Sequence, residues 1–166
     1  DPDIKSRPLM AVSMGARLRV TGVEGAFAAL PGGSYIFADH IGVADSHGHD
    51  FVQVAERFIG VPYLWGGRES LGLDCSALVQ TALSMCGHAC PRDSDMQEAV
   101  LGAPVSGNLA RGDLVFWKGH VGILQDADTL LHANATHMCV VSEPFAPATK
   151  RIGETAGDIR QIRRMA

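Results

Sequence analysis

The rhythm of apolar positions changes near residue 46. Before it, "LMAVSMG", "ARLRVTGVEG" and "GSYIFADHI" alternate or cluster apolar residues between Gly and Pro signals, and "ALPGGSY" reads as a tight turn. This predicts short strands within residues 9–15, 16–25 and 33–41, then a polar linker, "ADSHGHD". After it the spacing turns helical. In "DFVQVAERFIG", Phe51, Val54, Ala55 and Phe58 share a face, and Gly60 and Pro62 end the pattern. A Gly-rich loop spans residues 62–74. Residues 75–86 predict a second helix with Cys75, Leu78, Val79, Ala82, Met85 and Cys86 on one face. "PRDSDMQEAV" predicts a loop and a short helix. Strands then follow at "GDLVFWKG", "HVGILQD", "TLLHANA", "MCVVSE" and "IRQIRRM". Helices followed by antiparallel strands make an α+β pattern, not an alternating βαβ one.

Composition narrows the function classes. The 166 residues are 46% hydrophobic, enough to bury a core in one domain, or in one plus a small appendage. A net charge of −4 lends no support to a nucleic-acid partner. No apolar run is long enough to predict a membrane span. No signal peptide is visible. The four cysteines, Cys75, Cys86, Cys90 and Cys139, sit in a domain large enough to do without disulfides and read as reduced thiols. Both features favour the cytoplasm, with the periplasm or the cell wall as the alternative.

The chemistry starts at "DCS". Cys75 falls on the first turn of the second helix, where unpaired amides and the helix dipole favour an anion such as a thiolate. Asp74 is a candidate N-cap. A small cysteine in an apolar face is also an ordinary core residue. A thiol nucleophile needs a base, and the base needs an orienter. His120 opens one strand and His132 lies near the end of the next. A hairpin centred near Asp126 would set them almost opposite each other on one face, whereas a one-residue slip would separate them. "CGHAC" lacks the second ligand pair of a zinc site, and Cys86 reads as the buried end of the helix. "HGH" reads as linker, and Met138 and Cys139 as packing residues that start a strand.

Six motifs, "PYLWGG", "DCSALVQ", "PRDSDMQ", "GDLVFW", "GHVGI" and "LLHAN", occur in the order and at the spacing seen in NlpC-type cysteine peptidases of the papain-like fold. The sequence resembles that family over roughly residues 50–135. The upstream strands resemble, more loosely, a bacterial SH3-like barrel. The resemblance implies an SH3-like region over residues 1–46, short for a complete barrel, and a catalytic domain over residues 47–166. It implies hydrolysis of the γ-D-glutamyl–diamino acid (meso-diaminopimelate) amide in peptidoglycan peptides with a free N-terminal L-Ala, and so a place in murein recycling. Cys75 would be the nucleophile, His120 the base and His132 the third polar residue. Tyr63, Asp74 and Ser76 would hold the substrate amine, and Arg92 and Ser94 the glutamate α-carboxylate. No metal or organic cofactor is needed. A cell-wall amidase, an acyltransferase and a catalytically silent wall-binding module are the alternative readings of the same fold.

Overall fold

The computed structural model describes residues 2–166, and its contacts divide the chain into two units, Asp1–His47 and Gly48–Ala166. The first unit holds strands β1 (Gly22–Glu24), β2 (Phe27–Leu30) and β3 (Ser34–Phe37), paired antiparallel in that order. Phe27 and Phe37 are cross-strand partners whose rings meet edge to face, with centroids 5.9 Å apart. Among the described residues this sheet is an open meander ending at β1 and β3. The strand expected over residues 9–15 is absent, and only Gly22–Glu24 of the second expected strand forms. Leu9 and Met10 are about 80% exposed. With no neighbouring strand to pair with, their apolar pattern does not fix an extended ladder. The third expected strand stops at Phe37 and continues as one 3₁₀ turn, Ala38–His40.

The second unit begins with α1 (Phe51–Glu56), capped by Asp50, whose carboxylate accepts from the amides of Val52 and Gln53. Its buried residues are Val52 and Ala55, followed by Phe58 just beyond the helix, so the inward face is rotated from the expected one; Phe51 and Val54 are only half-buried. The Gly-rich segment is not plain loop, for it carries the small hairpin β4 (Arg68–Glu69) and β5 (Gly72–Leu73). Then come α2 (Cys75–Met85), α3 (Ser94–Val100), β6 (Ala103–Pro104), β7 (Asp113–Trp117), β8 (His120–Leu124), β9 (Thr129–Asn134), β10 (Cys139–Pro144), α4 (Phe145–Ala156) and β11 (Gln161–Arg164). The six-stranded sheet has the order β10-β9-β8-β7-β11-β6 and is antiparallel throughout.

The expected second helix and the run of strands are present, but α4 interrupts their order. Phe145, Ala148, Ile152 and Ala156 form its apolar stripe and pack with Val115, Trp117, Leu124 and Leu130 on the sheet. Two prolines and a glycine hide that stripe in the sequence. Pro144 is the N-cap, and Pro147 lies in the first turn, where its missing N–H would have had no helical partner. In α2 every residue from Cys75 to Val79 is buried, whereas Met85 and Cys86 at its end are only half-buried, contrary to the expected face. Met138 is also exposed rather than packed, and it precedes β10 with φ +54°.

Gly67 shows how tightly the segment before α2 is wound. A Cβ there would lie 2.5 Å from the carbonyl oxygen of Gly72 and 2.9 Å from that of Leu64, both immobile backbone. Gly67→Ala is expected to destabilise the protein by about 1–3 kcal/mol in urea unfolding; an unchanged midpoint would mean that the hairpin yields freely.

Candidate active site

Cys75 is the first residue of α2, with Asp74 as N-cap. Asp74 is 7% exposed and takes five donors. Its Oδ1 accepts from the Ala77 amide (2.9 Å), Ser76 Oγ (3.2 Å) and Arg92 Nη1 (3.0 Å), and its Oδ2 from the Gly66 amide (3.0 Å) and Arg92 Nη2 (2.6 Å). Arg92 Nη1 also donates to Ser76 Oγ at 2.9 Å. One carboxylate therefore joins the glycine-rich segment, the start of α2 and the segment before α3. Burial works to raise the Asp74 carboxyl, but the Arg92 bond and the two amides outweigh it and hold it below its ordinary value. Gln97, fully buried in α3, donates to the Ser76 and Pro91 carbonyls at 2.9 Å each and fixes α3 against the same corner.

A cavity of about 450 Å³ opens there, lined by Trp65, Cys75, Ser76, Arg92, Ser94 and Gly119 among others. Asp74, Ser76, Arg92 and Ser94 thus meet around Cys75. Tyr63, His120 and His132 do not line this cavity. Tyr63 is half-buried beside the cysteine; its phenol is raised by burial first, then by the nearby Cys75 and Asp74.

The other flank of Cys75 is β8. α2, with Cys75 at its first turn, packs against β8, the strand that His120 opens. Burial pushes the thiol up to about 11, and Asp74 adds to the rise, against the opposing amides of Val121, Ser76 and Cys75. Burial likewise lowers His120 to about 3, with the neighbouring His132 and Arg151 adding to the fall. Cys75 thus rests as a neutral thiol and His120 as a neutral imidazole, and Cys75 is not the thiolate that the helix terminus alone predicts. The effect of the helix terminus is present but smaller than the desolvation of the charged forms.

His120 Nε2 lies 2.7 Å from His132 Nδ1. The two histidines share a face as expected, but the register differs. Ile123 pairs with Leu131 and Leu124 with Leu130, so Gly122 falls opposite His132 and His120 reaches it diagonally. Gly122 leaves that diagonal open, since a Cβ on it would lie 3.4 Å from His132 Cβ and 2.6 Å from a Leu130 methyl. On the same face, β10 contributes Glu143, whose Oε1 is 2.7 Å from His132 Nε2, and α4 contributes Arg151, which grips both Glu143 oxygens at 2.6 and 2.9 Å. Asn134 Nδ2 is 3.0 Å from the same His132 nitrogen. The sequence reading missed Asn134, Glu143 and Arg151. Two-residue spacing from His132 marks Asn134, but only the β9–β10 register brings Glu143 into reach. Among the described residues no three His, Cys, Asp or Glu side chains converge as a metal site, and no helix is long and apolar enough to cross a membrane.

Two measurements follow from this electrostatic layout. Iodoacetamide labelling of Cys75, mapped by peptide mass spectrometry, is expected to accelerate up to about pH 10 without an earlier plateau; a plateau below about pH 7 would instead reveal a resting thiolate. Arg92→Met is expected to destabilise the protein by about 2 kcal/mol near pH 7, because it strands a buried carboxylate. The depressed Asp74 carboxyl contributes stability that is present above about pH 4 and lost as the pH falls through its folded value. In the variant the unpartnered carboxyl titrates higher, so the gap to the parent, measured in urea, should narrow as the pH falls through about 4.

The family model described as the NlpC/P60 family matches residues 60–152. The chain is 34% identical over 110 residues to a γ-D-glutamyl-L-lysine dipeptidyl-peptidase of Bacillus subtilis, covering 60% of this chain and 37% of that protein. It is 36% identical over 121 residues to a γ-DL-glutamyl hydrolase of the same organism, covering 66% of this chain and 29% of that one. The chain therefore spans about a third of the length of these curated relatives. An NlpC/P60 family protein from Bacillus cereus superimposes with a TM-score of 0.71 at 23% identity, over 92% of this chain and 55% of that one. A peptidoglycan hydrolase from Mycobacterium tuberculosis does so with a TM-score of 0.57 at 27% identity, over 69% and 62% of the two chains. The match of the family model over more than half of the chain, on a fold of the same kind, makes this protein a member of the NlpC/P60 family.

Proposed function

We propose that this chain is a cysteine peptidase that cleaves the γ-D-glutamyl amide to a diamino acid, meso-diaminopimelate, in peptidoglycan-derived peptides. The observation that carries the reading is the His120–His132 contact of 2.7 Å beginning on β8, the strand against which α2 packs with Cys75 at its first turn. The names of two relatives, a γ-D-glutamyl-L-lysine dipeptidyl-peptidase and a γ-DL-glutamyl hydrolase, support a γ-glutamyl bond as the target.

The reaction starts from the neutral pair. As the Cys75 sulfur attacks the γ-glutamyl carbonyl, its proton passes to His120, so no buried ion pair has to be stored beforehand. The Cys75 amide, at the start of α2, is the natural donor to the developing oxyanion. His120 then returns the proton to the leaving amine, and water releases the acyl group. His132 holds the His120 ring throughout.

Substrate binding is read as an exchange of partners. Arg92 grips both Asp74 oxygens. A peptide with a free N-terminal L-Ala brings an ammonium for Asp74, Ser76 and Tyr63, and an α-carboxylate for Arg92 and Ser94. Both charges of the resting pair stay compensated, and arginine suits a carboxylate through two parallel hydrogen bonds. A blocked amine would supply only half of the exchange.

The test is mass spectrometry of L-Ala-γ-D-Glu-meso-diaminopimelate incubated with the parent, Cys75→Ala and His120→Ala proteins. Release of L-Ala-γ-D-Glu and diaminopimelate is expected from the parent alone, with the N-acetylated peptide at least about tenfold slower. Cleavage of whole sacculi but not of the free peptide would overturn the substrate assignment. No turnover of either would overturn the peptidase reading in favour of a wall-binding module.

A further inference from the structure

We infer that Glu143, clamped by Arg151, sets the tautomers of both imidazoles in series, so that His120 keeps an unprotonated Nδ1 to take the thiol proton. This deepens the cysteine peptidase reading and rests on it. Glu143 and Arg151 act through His132 and are positioning residues.

The proton series starts at the carboxylate. Burial works to raise Glu143, but its bonds to Arg151 and His132 hold it below its ordinary value. It is therefore an anion and can only accept. His132 Nε2, 2.7 Å away, must carry the proton of that contact. A neutral imidazole has a single N–H, so His132 Nδ1 is bare. His120 Nε2 lies 2.7 Å from that bare nitrogen and must donate to it. His120 Nδ1 is then the free lone pair. One fixed acceptor, two strands away from β8, decides which nitrogen of the base is available.

The neighbouring groups would not give this order without Glu143. Asn134 Oδ1 accepts from the backbone N of His137 at 2.9 Å and lies 3.0 Å from its Nδ1, so Asn134 turns its NH₂ group toward His132 Nε2. With the carboxylate removed, that amide donates to a bare Nε2 and moves the His132 proton to Nδ1. The series then runs backwards. His120 Nε2 accepts, and Nδ1 carries the proton, so no bare nitrogen is left to take the proton of the thiol. A wrong histidine tautomer of this kind abolishes most of the activity of a serine protease triad.

The charges add a signature of their own. The groups facing His132 are His120 on β8, Glu143 on β10, Arg151 on α4 and His137 in the turn after β9; α2, which carries Cys75, packs on β8. Glu143 favours both imidazolium forms and Arg151 disfavours them. Removing one or the other should move the acid limb of kcat/KM in opposite directions, to lower pH for Glu143→Ala and to higher pH for Arg151→Met. A pair that only braced β10 against α4 would move both variants alike.

The deciding experiment is ¹⁵N NMR of the histidine side chains near pH 7, which needs no substrate. The parent should show His132 and His120 both protonated on Nε2, Arg151→Met should keep that pattern, and Glu143→Ala should shift His132 to Nδ1–H. Peptide turnover by Glu143→Ala should fall by about 100-fold or more in kcat, with KM little changed. His132 protonated on Nδ1 in the parent, or an unchanged pattern in Glu143→Ala, would overturn the assignment even if the peptide is cleaved. The expected tautomers with no turnover of any peptide would uphold it and count against the peptidase reading instead.

Discussion

The Asp74 carboxylate is the constraint on which the active-site corner depends. It caps α2, binds the Gly66 amide of the preceding segment and anchors Arg92 of the segment that leads into α3. A largely buried carboxylate tolerates that position only because five donors surround it. Its partners define three walls of the cavity around Cys75. The close approach of Gly67 to Gly72 and the burial of Gln97 serve the same corner, one by bringing backbone to the carboxylate, the other by holding the Ser76 carbonyl.

The sheet supplies the other half of the site on a different principle. β7, β8 and β9 are buried on both faces, so their sequences are nearly continuous apolar runs. Two histidines and a glutamate interrupt that apolar surface, and each finds its partner on the next strand along one diagonal. Full burial of His132 removes solvent as a competitor for its two nitrogens. The direction of every proton in the series is then set by the one group that cannot donate. Desolvation also keeps the thiol and the imidazole neutral at rest.

Much of this was legible in the sequence, and the reasons differ by element. α2 was readable because its apolar spacing begins at a capping aspartate and ends before Gly87. The strands from β7 to β10 were readable because buried strands are apolar runs broken by turn residues. The shared face of His120 and His132 was expected from a hairpin centred near Asp126, and it holds because the actual register differs without moving either residue to the other face. α4 was hidden by Pro147 and Gly153, which are tolerated because packing of four apolar residues on the sheet outweighs their poor propensity. Residues 9–15 failed in the opposite direction, since a local pattern of strand type means little without a neighbouring strand.

By itself the sequence singled out Cys75, His120 and His132, the helix terminus that carries the one and the hairpin that carries the others. These are local facts of period, capping and turn, and short segments encode them. Only the tertiary structure decided that Arg92 closes on Asp74, that Glu143 and Arg151 stand behind His132, and that Cys75 rests as a thiol. Partners 18 residues apart in the chain, strand register and depth of burial all depend on how distant segments pack, and electrostatics in a desolvated site follows that packing rather than residue type.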